Sequence, residues 1–207
     1  MKNYIQSTKN YRYFTLGNPE IAKKLIFVLH GYGQMPEYFI QKFNKLGDEY
    51  FIVAPEGMHR FYLKGSSGRV GASWMTKEER LCDIADTLHF LNRLYAQFSG
   101  QFALENIRIL GFSQGAATAA RWFYSSDKLA HELIIWASVF PPDLAISDEI
   151  NPTTNFNAKF VIGNQDEYFN AEQQKELIQF YDAKGFKVFK FEGKHDIDTT
   201  TLARILS

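Results

Sequence analysis

Residues 107–121 read IRILGFSQGAATAAR, and this stretch decides the fold. Its first four residues are typical of a buried strand, and the small residues after position 115 are typical of a helix. Between the two stands Gly-Phe-Ser-Gln-Gly, with Ser113 at its centre. Glycines two residues before and after the serine are needed where a sharp strand-to-helix turn exposes the hydroxyl, because side chains there would collide with neighbouring backbone. An ordinary turn with an incidental serine is the alternative, so the rest of the chain must decide.

Length and charge favour a single globular domain over residues 1–207. The chain has 23 basic and 23 acidic residues and no basic run, so nucleic acid is not expected as a partner. The first eight residues hold no apolar core of a signal peptide, and we expect no membrane span. We therefore expect a cytoplasmic protein, and the single cysteine, Cys82, agrees with a reducing compartment. Nothing in the sequence indicates the oligomeric state.

Seven short apolar runs predict strands, and the segments between them predict helices. The strands are expected at residues 12–16, 24–30, 50–54, 107–112, 133–138, 159–163 and 187–191, and the helices at 36–46, 77–98, 114–124 and 171–183. The run from Leu25 to Leu29 is apolar throughout, which indicates a sheet covered on both faces. Strands that alternate with helices predict an α/β fold with a mostly parallel central sheet of about seven strands.

Two further expectations concern the helix at 77–98 and the segment that precedes it. Thr76 followed by Glu79 predicts a capping box for the helix that begins at Lys77, and Cys82 is expected to be buried in that helix. Residues Gly57 to Ser73 show no regular period and predict a long loop, which either takes part in function or covers a sheet edge.

A serine hydroxyl is a poor nucleophile near neutral pH unless a histidine accepts its proton and a carboxylate holds that histidine. After a serine turn of this kind, the acid and then the histidine follow on loops that leave later strands. His195 comes after the last predicted strand, and Asp166 comes after the strand at 159–163. We therefore predict Ser113, Asp166 and His195 as a catalytic triad. Glu167 and Asp143 are the alternatives for the acid.

The segment Leu29-His30-Gly31-Tyr32-Gly33 ends another predicted strand. In this architecture one N–H group of the oxyanion hole comes from the loop after that strand, and the other comes from the residue after the nucleophile. We assign the first donor to Tyr32, with Gly33 as the alternative, and the second donor to Gln114. His30 is expected to brace the loop by hydrogen bonds rather than to act as a base.

On these residues the chain resembles the α/β-hydrolase superfamily, and within it the compact phospholipase/carboxylesterase group that includes acyl-protein thioesterases. The resemblance covers nearly the whole chain and rests on Leu29–Gly33, Ala54–Gly57, Gly111–Gly115, Asp166 and His195. It implies an α/β-hydrolase fold with helices on both faces of the sheet and no large cap domain. It also implies a tryptophan near the site before the long helix, and Trp74 has that position.

Together these residues predict a serine hydrolase that cleaves small-molecule esters or thioesters through an acyl-enzyme intermediate, with no cofactor. Apolar walls of the substrate pocket are expected from Trp74, Phe112, Phe140 and Phe169. Hydrolysis of amides or peptides uses the same triad and stays open, as does a non-catalytic ligand receptor on the same scaffold. No His-x-x-x-His or clustered Cys/His spacing predicts a metal site.

Overall fold

Strands and helices alternate along the chain in a computed structural model that describes residues 1–125, 129–144 and 157–207. The strands are β1 (Tyr13–Leu16), β2 (Lys24–Leu29), β3 (Tyr50–Pro55), β4 (His59–Tyr62), β5 (Val70–Ser73), β6 (Ile107–Phe112), β7 (Glu132–Trp136), β8 (Asn157–Gly163) and β9 (Lys187–Phe191). The α-helices are α1 (Pro36–Phe39), α2 (Arg80–Phe98), α3 (Gln114–Tyr124), α4 (Ala171–Ala183) and α5 (Thr199–Leu206). Short 3₁₀ stretches follow α1 at Ile40–Glu49 and α2 at Ser99–Gln101 and Leu104–Asn106.

The central sheet of the described residues has seven strands in the spatial order β1-β3-β2-β6-β7-β8-β9. All neighbours are parallel except β1, which pairs antiparallel with β3 at one edge. The prediction of a mostly parallel sheet of about seven strands is therefore confirmed. The chain runs outward from β2 to β3 and then returns to place β6 on the other side of β2. Ligand sites of open α/β sheets lie at such a reversal, outside the carboxyl ends of the strands.

Both faces of the sheet are covered, as the uninterrupted apolar strands predicted. In β2, Leu25, Phe27 and Leu29 pack in the core that includes residues of α2, α3 and α4. Ile26 and Val28 point to the opposite face and pack in the core that includes residues of α1, its 3₁₀ extension and α5. All five are fully buried, and each such side chain contributes about 1.5–3 kcal/mol on leaving water.

The predicted start of α2 is wrong. The helix begins at Arg80, and Glu79 precedes it with a left-handed φ of 52° and no capping hydrogen bond from its side chain. Thr76 makes no capping box, because its backbone N–H donates to the Asp83 carboxylate at 3.2 Å. This tertiary contact replaces the local capping that the sequence favours.

Cys82 is exposed, so its predicted burial is also wrong. The buried stripe of α2 passes instead through Asp83, Thr87 and Leu91. Asp83 lies 3.0 Å from the His59 ring in β4, and the Thr87 hydroxyl contacts Trp74 O at 3.5 Å. Polar partners therefore set the rotation of α2, and hydropathy alone did not indicate it.

The predicted loop between Gly57 and Ser73 contains an antiparallel hairpin, β4–β5, whose strands pair His59 with Ser73 and Tyr62 with Val70. The expectation of an irregular loop is thus wrong for the residues of these two strands, which form a hairpin that packs on another part of the protein. It lies against the loop after β2, where the Phe61 ring stacks on the Tyr32 ring at 5.0 Å. In the described parts of the chain, no helix is long and apolar enough to cross the membrane.

Candidate active site

Ser113 lies in the turn between β6 and α3 with φ 54° and ψ −121°, a backbone conformation that non-glycine residues rarely adopt. Its N–H donates to Trp136 O in β7 at 2.9 Å, which ties the turn to the sheet. A Cβ at Gly111 would lie 2.4 Å from the Ala116 Cα, and a Cβ at Gly115 would lie 2.3 Å from Leu29 O. The collision expected from the glycine spacing is therefore confirmed, and it explains why both positions lack a side chain.

Asp166 follows β8 and His195 follows β9, and the two side chains meet at the carboxyl edge of the sheet. His195 Nδ1 lies 2.7 Å from Asp166 Oδ2. The Asp166 side chain is fully buried and the His195 side chain is 10% exposed. Because an ionised carboxylate only accepts hydrogen bonds, Nδ1 carries the proton in this pair, and in the neutral ring the lone pair is therefore on Nε2. The second Asp166 oxygen accepts the Tyr168 N–H at 3.0 Å, which fixes the carboxylate plane.

The imidazole of His195 lies against the residue that precedes the serine. Its ring centroid is 4.9 Å from that of Phe112, and the Tyr168 ring covers it at 4.4 Å. The loop that carries it is anchored where Trp136 Nε1–H donates to Asp196 O at 3.0 Å. No hydrogen bond joins the Ser113 hydroxyl to His195 in the described part of the chain, and such contacts are often long before substrate binds. The structure therefore pairs the acid with the histidine and places both beside the turn, while the role of Ser113 stays a prediction.

The two alternative acids have other partners. Glu167 accepts the backbone N–H of His195 at 3.2 Å, so it holds the main chain and not the ring. Asp143 receives two hydrogen bonds from Arg121, at 2.9 and 2.7 Å. This hydrogen-bonded guanidinium lowers the pKa of Asp143 to about 2. The geometry therefore favours Asp166 over both alternatives.

The two candidate donors in the loop after β2 differ in whether their N–H groups already have an acceptor. Gly33 N–H is already used, because it donates to Ala72 O in the hairpin at 2.9 Å. Tyr32 N–H has no acceptor among the described residues, and the same holds for Gln114 N–H at the first position of α3, as is normal for a helix start. Of the two candidates in this loop, Tyr32 is therefore the one whose N–H is available to an oxyanion.

His30 holds the base of this loop. It is completely buried, its Nδ1 lies 2.8 Å from Gly31 O, and its Nε2 accepts Gly57 N–H at 3.0 Å. The first contact requires a proton on Nδ1, so the ring is neutral and both nitrogens are used. Burial lowers the pKa of His30 from 6.5 to about 4. The expected bracing role fits these contacts.

An apolar groove of about 350 Å³ lies between α4 and the segment that follows β7. It is lined by Val139, Phe140, Phe169, Gln173, Glu176, Leu177 and Phe180. One of these lining residues, Phe169, has its ring centroid 6.5 Å from that of His195. Two of the four predicted pocket residues, Phe140 and Phe169, line this groove.

The other two predicted pocket residues are buried. Trp74 is 1% exposed and its indole N–H donates to His30 O at 2.8 Å, so it supports the loop after β2 from below. Phe112 is 2% exposed, and its ring contacts that of His195 in a tilted arrangement. Tyr168, whose ring covers that of His195, is not among the residues predicted from the sequence, although its position two residues after the predicted acid was an available signal.

Comparisons with known proteins agree with this architecture. A family model described as serine hydrolase (FSH1) matches residues 20–203. Similar solved structures include a carboxylesterase from Mesorhizobium loti, with a TM-score of 0.73 and 16% identity over 95% of this chain and 94% of that chain. Acyl-protein thioesterase 2 from Zea mays has a TM-score of 0.71 and 15% identity over 94% of this chain and 95% of that one.

A phospholipase/carboxylesterase from Dyadobacter fermentans has a TM-score of 0.62 and 21% identity over 97% of this chain and 96% of its own. At such identities the likeness shows the fold alone, which is the α/β-hydrolase fold without a large cap. No curated protein sequence matches the chain significantly. Because the family model spans most of the sequence, the protein belongs to the serine hydrolase (FSH1) family of α/β-hydrolases.

Proposed function

We propose that the protein hydrolyses carboxylic esters or thioesters of small molecules through an acyl-enzyme intermediate on Ser113. The observation that carries this proposal is the hydrogen bond of 2.7 Å between a buried Asp166 and His195, whose ring packs on the residue before Ser113. A buried aspartate that fixes an imidazole beside a strained serine has the arrangement of a nucleophile with its base.

In the proposed reaction, Ser113 Oγ forms a bond to the carbonyl carbon while its proton passes to His195 Nε2. Asp166 keeps the Nδ1–H tautomer and stabilises the imidazolium that results. Collapse of the tetrahedral intermediate breaks the bond to the leaving alcohol or thiol, which takes the proton from His195. In the second half of the reaction, water attacks the acyl carbonyl while its proton passes to His195. Ser113 Oγ is then the leaving group and takes the proton back from His195, which releases the carboxylic acid and free Ser113.

The negative charge on the oxygen of the tetrahedral intermediate is stabilised by hydrogen-bond donors that point to the position of that oxygen. We assign these to the backbone N–H groups of Tyr32 and Gln114, since neither has an acceptor in the described residues while Gly33 N–H is bound to Ala72 O. Loss of one such donor typically lowers kcat about 10²- to 10³-fold.

We assign the acyl group to the groove between Phe140, Phe169 and Leu177. Its volume of about 350 Å³ lies near the lower end of the range of about 300–1,000 Å³ for small-molecule sites. Turnover of p-nitrophenyl esters of graded acyl length should therefore show an optimum, and Leu177→Trp should shift it to shorter chains. Leu104→Trp, on a surface 3₁₀ turn, is the matched control and should leave the optimum unchanged.

Labelling with a fluorophosphonate probe tests the nucleophile directly. The wild-type protein should be labelled and Ser113→Ala should not, with an unchanged circular dichroism spectrum. Asp166→Asn should lower kcat by up to about 10⁴-fold because it favours the wrong imidazole tautomer. Glu167→Gln is the matched control and should have a much smaller effect. Labelling of Ser113→Ala, or a larger loss in Glu167→Gln than in Asp166→Asn, would contradict the assignment.

A second set of substrates tests which leaving group the protein prefers. Matched ester, thioester and amide substrates with one acyl chain are compared by kcat/KM, and we expect the ester and thioester to be cleaved and the amide to be much slower. Faster cleavage of the amide would replace the proposal by an amidase. Ligand binding without labelling or turnover of any of the three would indicate a receptor.

A further inference from the structure

The side chain of Gln114 is held by a dense set of hydrogen bonds. Its Nε2 donates to Met75 O at 3.0 Å and to the Ser73 hydroxyl at 3.0 Å. Its Oε1 accepts Trp74 N–H at 3.0 Å. All three partners lie at or just after the end of β5, about forty residues before Gln114 in the sequence. The amide of Gln114 is therefore fixed in position and cannot rotate without breaking several bonds.

The same segment also holds the loop that carries Tyr32. Ala72 accepts Gly33 N–H at 2.9 Å and donates its own N–H to Gln34 O at 3.2 Å. The backbone of β5 at Gly71 also lies so close to the backbone of Gly33 that a Cβ at Gly71 would be 2.4 Å from Gly33 O. Residues 71–75, which we call the clamp segment, thus bind the residues that follow Tyr32 and the side chain of Gln114 itself.

We propose that the clamp segment sets the spacing of the oxyanion hole, and that the side chain of Gln114 is its main positioning group on the nucleophile side. This inference rests on the proposed function, because it needs an oxyanion to be stabilised. A backbone N–H cannot be turned toward a ligand without moving the residue that carries it. Its direction depends on what holds the residue, and it acts only when it points to the position where the oxygen charge develops.

The physical need for a clamp follows from where the two donors lie. Tyr32 follows β2 and Gln114 follows β6, so they belong to separate loops that could move independently. A displacement of about 1 Å in a catalytic group can cost about 100-fold in rate. Gln114 also directly follows Ser113, whose φ of 54° is strained and needs support from its surroundings. Bonds from both loops to one short segment remove this freedom.

Gln114→Met tests the inference, because methionine has a similar length but cannot form these hydrogen bonds. We expect kcat for the best ester to fall about tenfold to 100-fold, which is less than the loss of a whole oxyanion donor would cause, while KM changes less than about twofold. The inhibition constant of an alkyl trifluoromethyl ketone, which forms a tetrahedral adduct with the serine, should rise in parallel with the loss in kcat/KM.

Ser73→Ala is the second variant, and it removes one bond from the clamp side without altering Gln114. It should give a smaller loss of kcat of the same kind, and the double variant should be no slower than Gln114→Met alone, since the two residues act through one contact. Tyr50→Phe is the matched control. It removes a buried hydrogen bond to Leu206 O at 2.7 Å, far from the site, and should lower stability without changing kcat.

The outcomes separate this inference from the proposed function. If the wild-type protein is labelled and active and Gln114→Met keeps its kcat and ketone affinity, the clamp is overturned and the proposed function stands. If kcat falls but the ketone binds as before, the side chain acts elsewhere in the reaction and the inference also fails. If the wild-type protein is neither labelled nor active, the proposed function fails first and the clamp with it. All rates are measured at a temperature where circular dichroism shows every variant folded.

Discussion

Acid should destabilise this protein through His30, a histidine outside the proposed triad. The ring is completely buried, and both of its nitrogens are used by the backbone of residues 31 and 57. A second proton would have to enter on Nε2, where it would remove the acceptor of Gly57 N–H and place a charge in the protein interior. Burial accordingly lowers the pKa of His30 from 6.5 to about 4.

The size of the effect follows from this difference. One pH unit between the folded and unfolded pKa corresponds to about 1.4 kcal/mol, so a fall from 6.5 to about 4 corresponds to about 3 kcal/mol. Between these two pH values the unfolded chain binds a proton at His30 that the folded protein does not. The free energy of unfolding should therefore decrease as the pH falls from 6.5, and the contribution of His30 should level off below about pH 4.

Urea unfolding followed by tryptophan fluorescence at several pH values between 7.5 and 4 measures this dependence. His30→Gln does not titrate and keeps an acceptor for Gly57 N–H. It should be less stable than wild type at pH 7. Its free energy of unfolding should also depend less steeply on pH between 7.5 and 4, by up to about 1.4 kcal/mol per pH unit. His89→Gln, at an exposed position of α2, is the control and should keep the wild-type slope. A wild-type slope in His30→Gln would refute the reasoning.

Two further predictions concern backbone packing and a buried ion pair. Gly115→Ala should lower the free energy of unfolding by about 1–3 kcal/mol or more, because its Cβ would lie 2.3 Å from Leu29 O. Gly100→Ala, with no atom within 4 Å, should change it by less than about 1 kcal/mol, and equal urea midpoints for the two would contradict the argument. Asp143→Asn should cost about 3 kcal/mol because it leaves the Arg121 charge buried without its anion. In wild type the Asp143 contribution should be present above pH 3.8 and disappear as the pH falls toward about 2, which unfolding in acid would test.

Some strands and helices of the fold could be predicted from the sequence because the residue patterns that indicate them are local. The strand at Ile107–Phe112 and the helix at Gln114–Tyr124 have the predicted bounds, since apolar strand residues, glycine spacing and small helical residues agree in one stretch. The helix at Ala171–Ala183 also matches, and the structure adds a capping box that begins at Asn170. Where local preference and tertiary packing point the same way, sequence reasoning succeeds.

The hairpin and the rotation of α2 could not be read in the same way. β4 and β5 are only four residues each and are stabilised by packing on the loop after β2, which lies more than twenty residues earlier. The bonds of Gln114 join it to residues about forty positions away, so no periodicity reveals them. The residues of the proposed triad could be proposed from the sequence because the topology constrains their order along the chain, whereas side-chain networks between loops depend on the folded shape.

The two histidines near the site show that neighbours, and not residue type, decide the chemistry. His30 and His195 both follow a parallel strand at the same edge of the sheet. His30 meets two backbone groups that use both nitrogens, so it has no lone pair for a substrate and can only brace. His195 meets the Asp166 carboxylate on Nδ1 alone, and its Nε2 has no acceptor or donor in the described residues. Of these two histidines, only His195 therefore has a ring nitrogen without a partner among the described residues. Asp166→Ala should lower activity far more than it lowers stability, and His30→Ala should do the reverse.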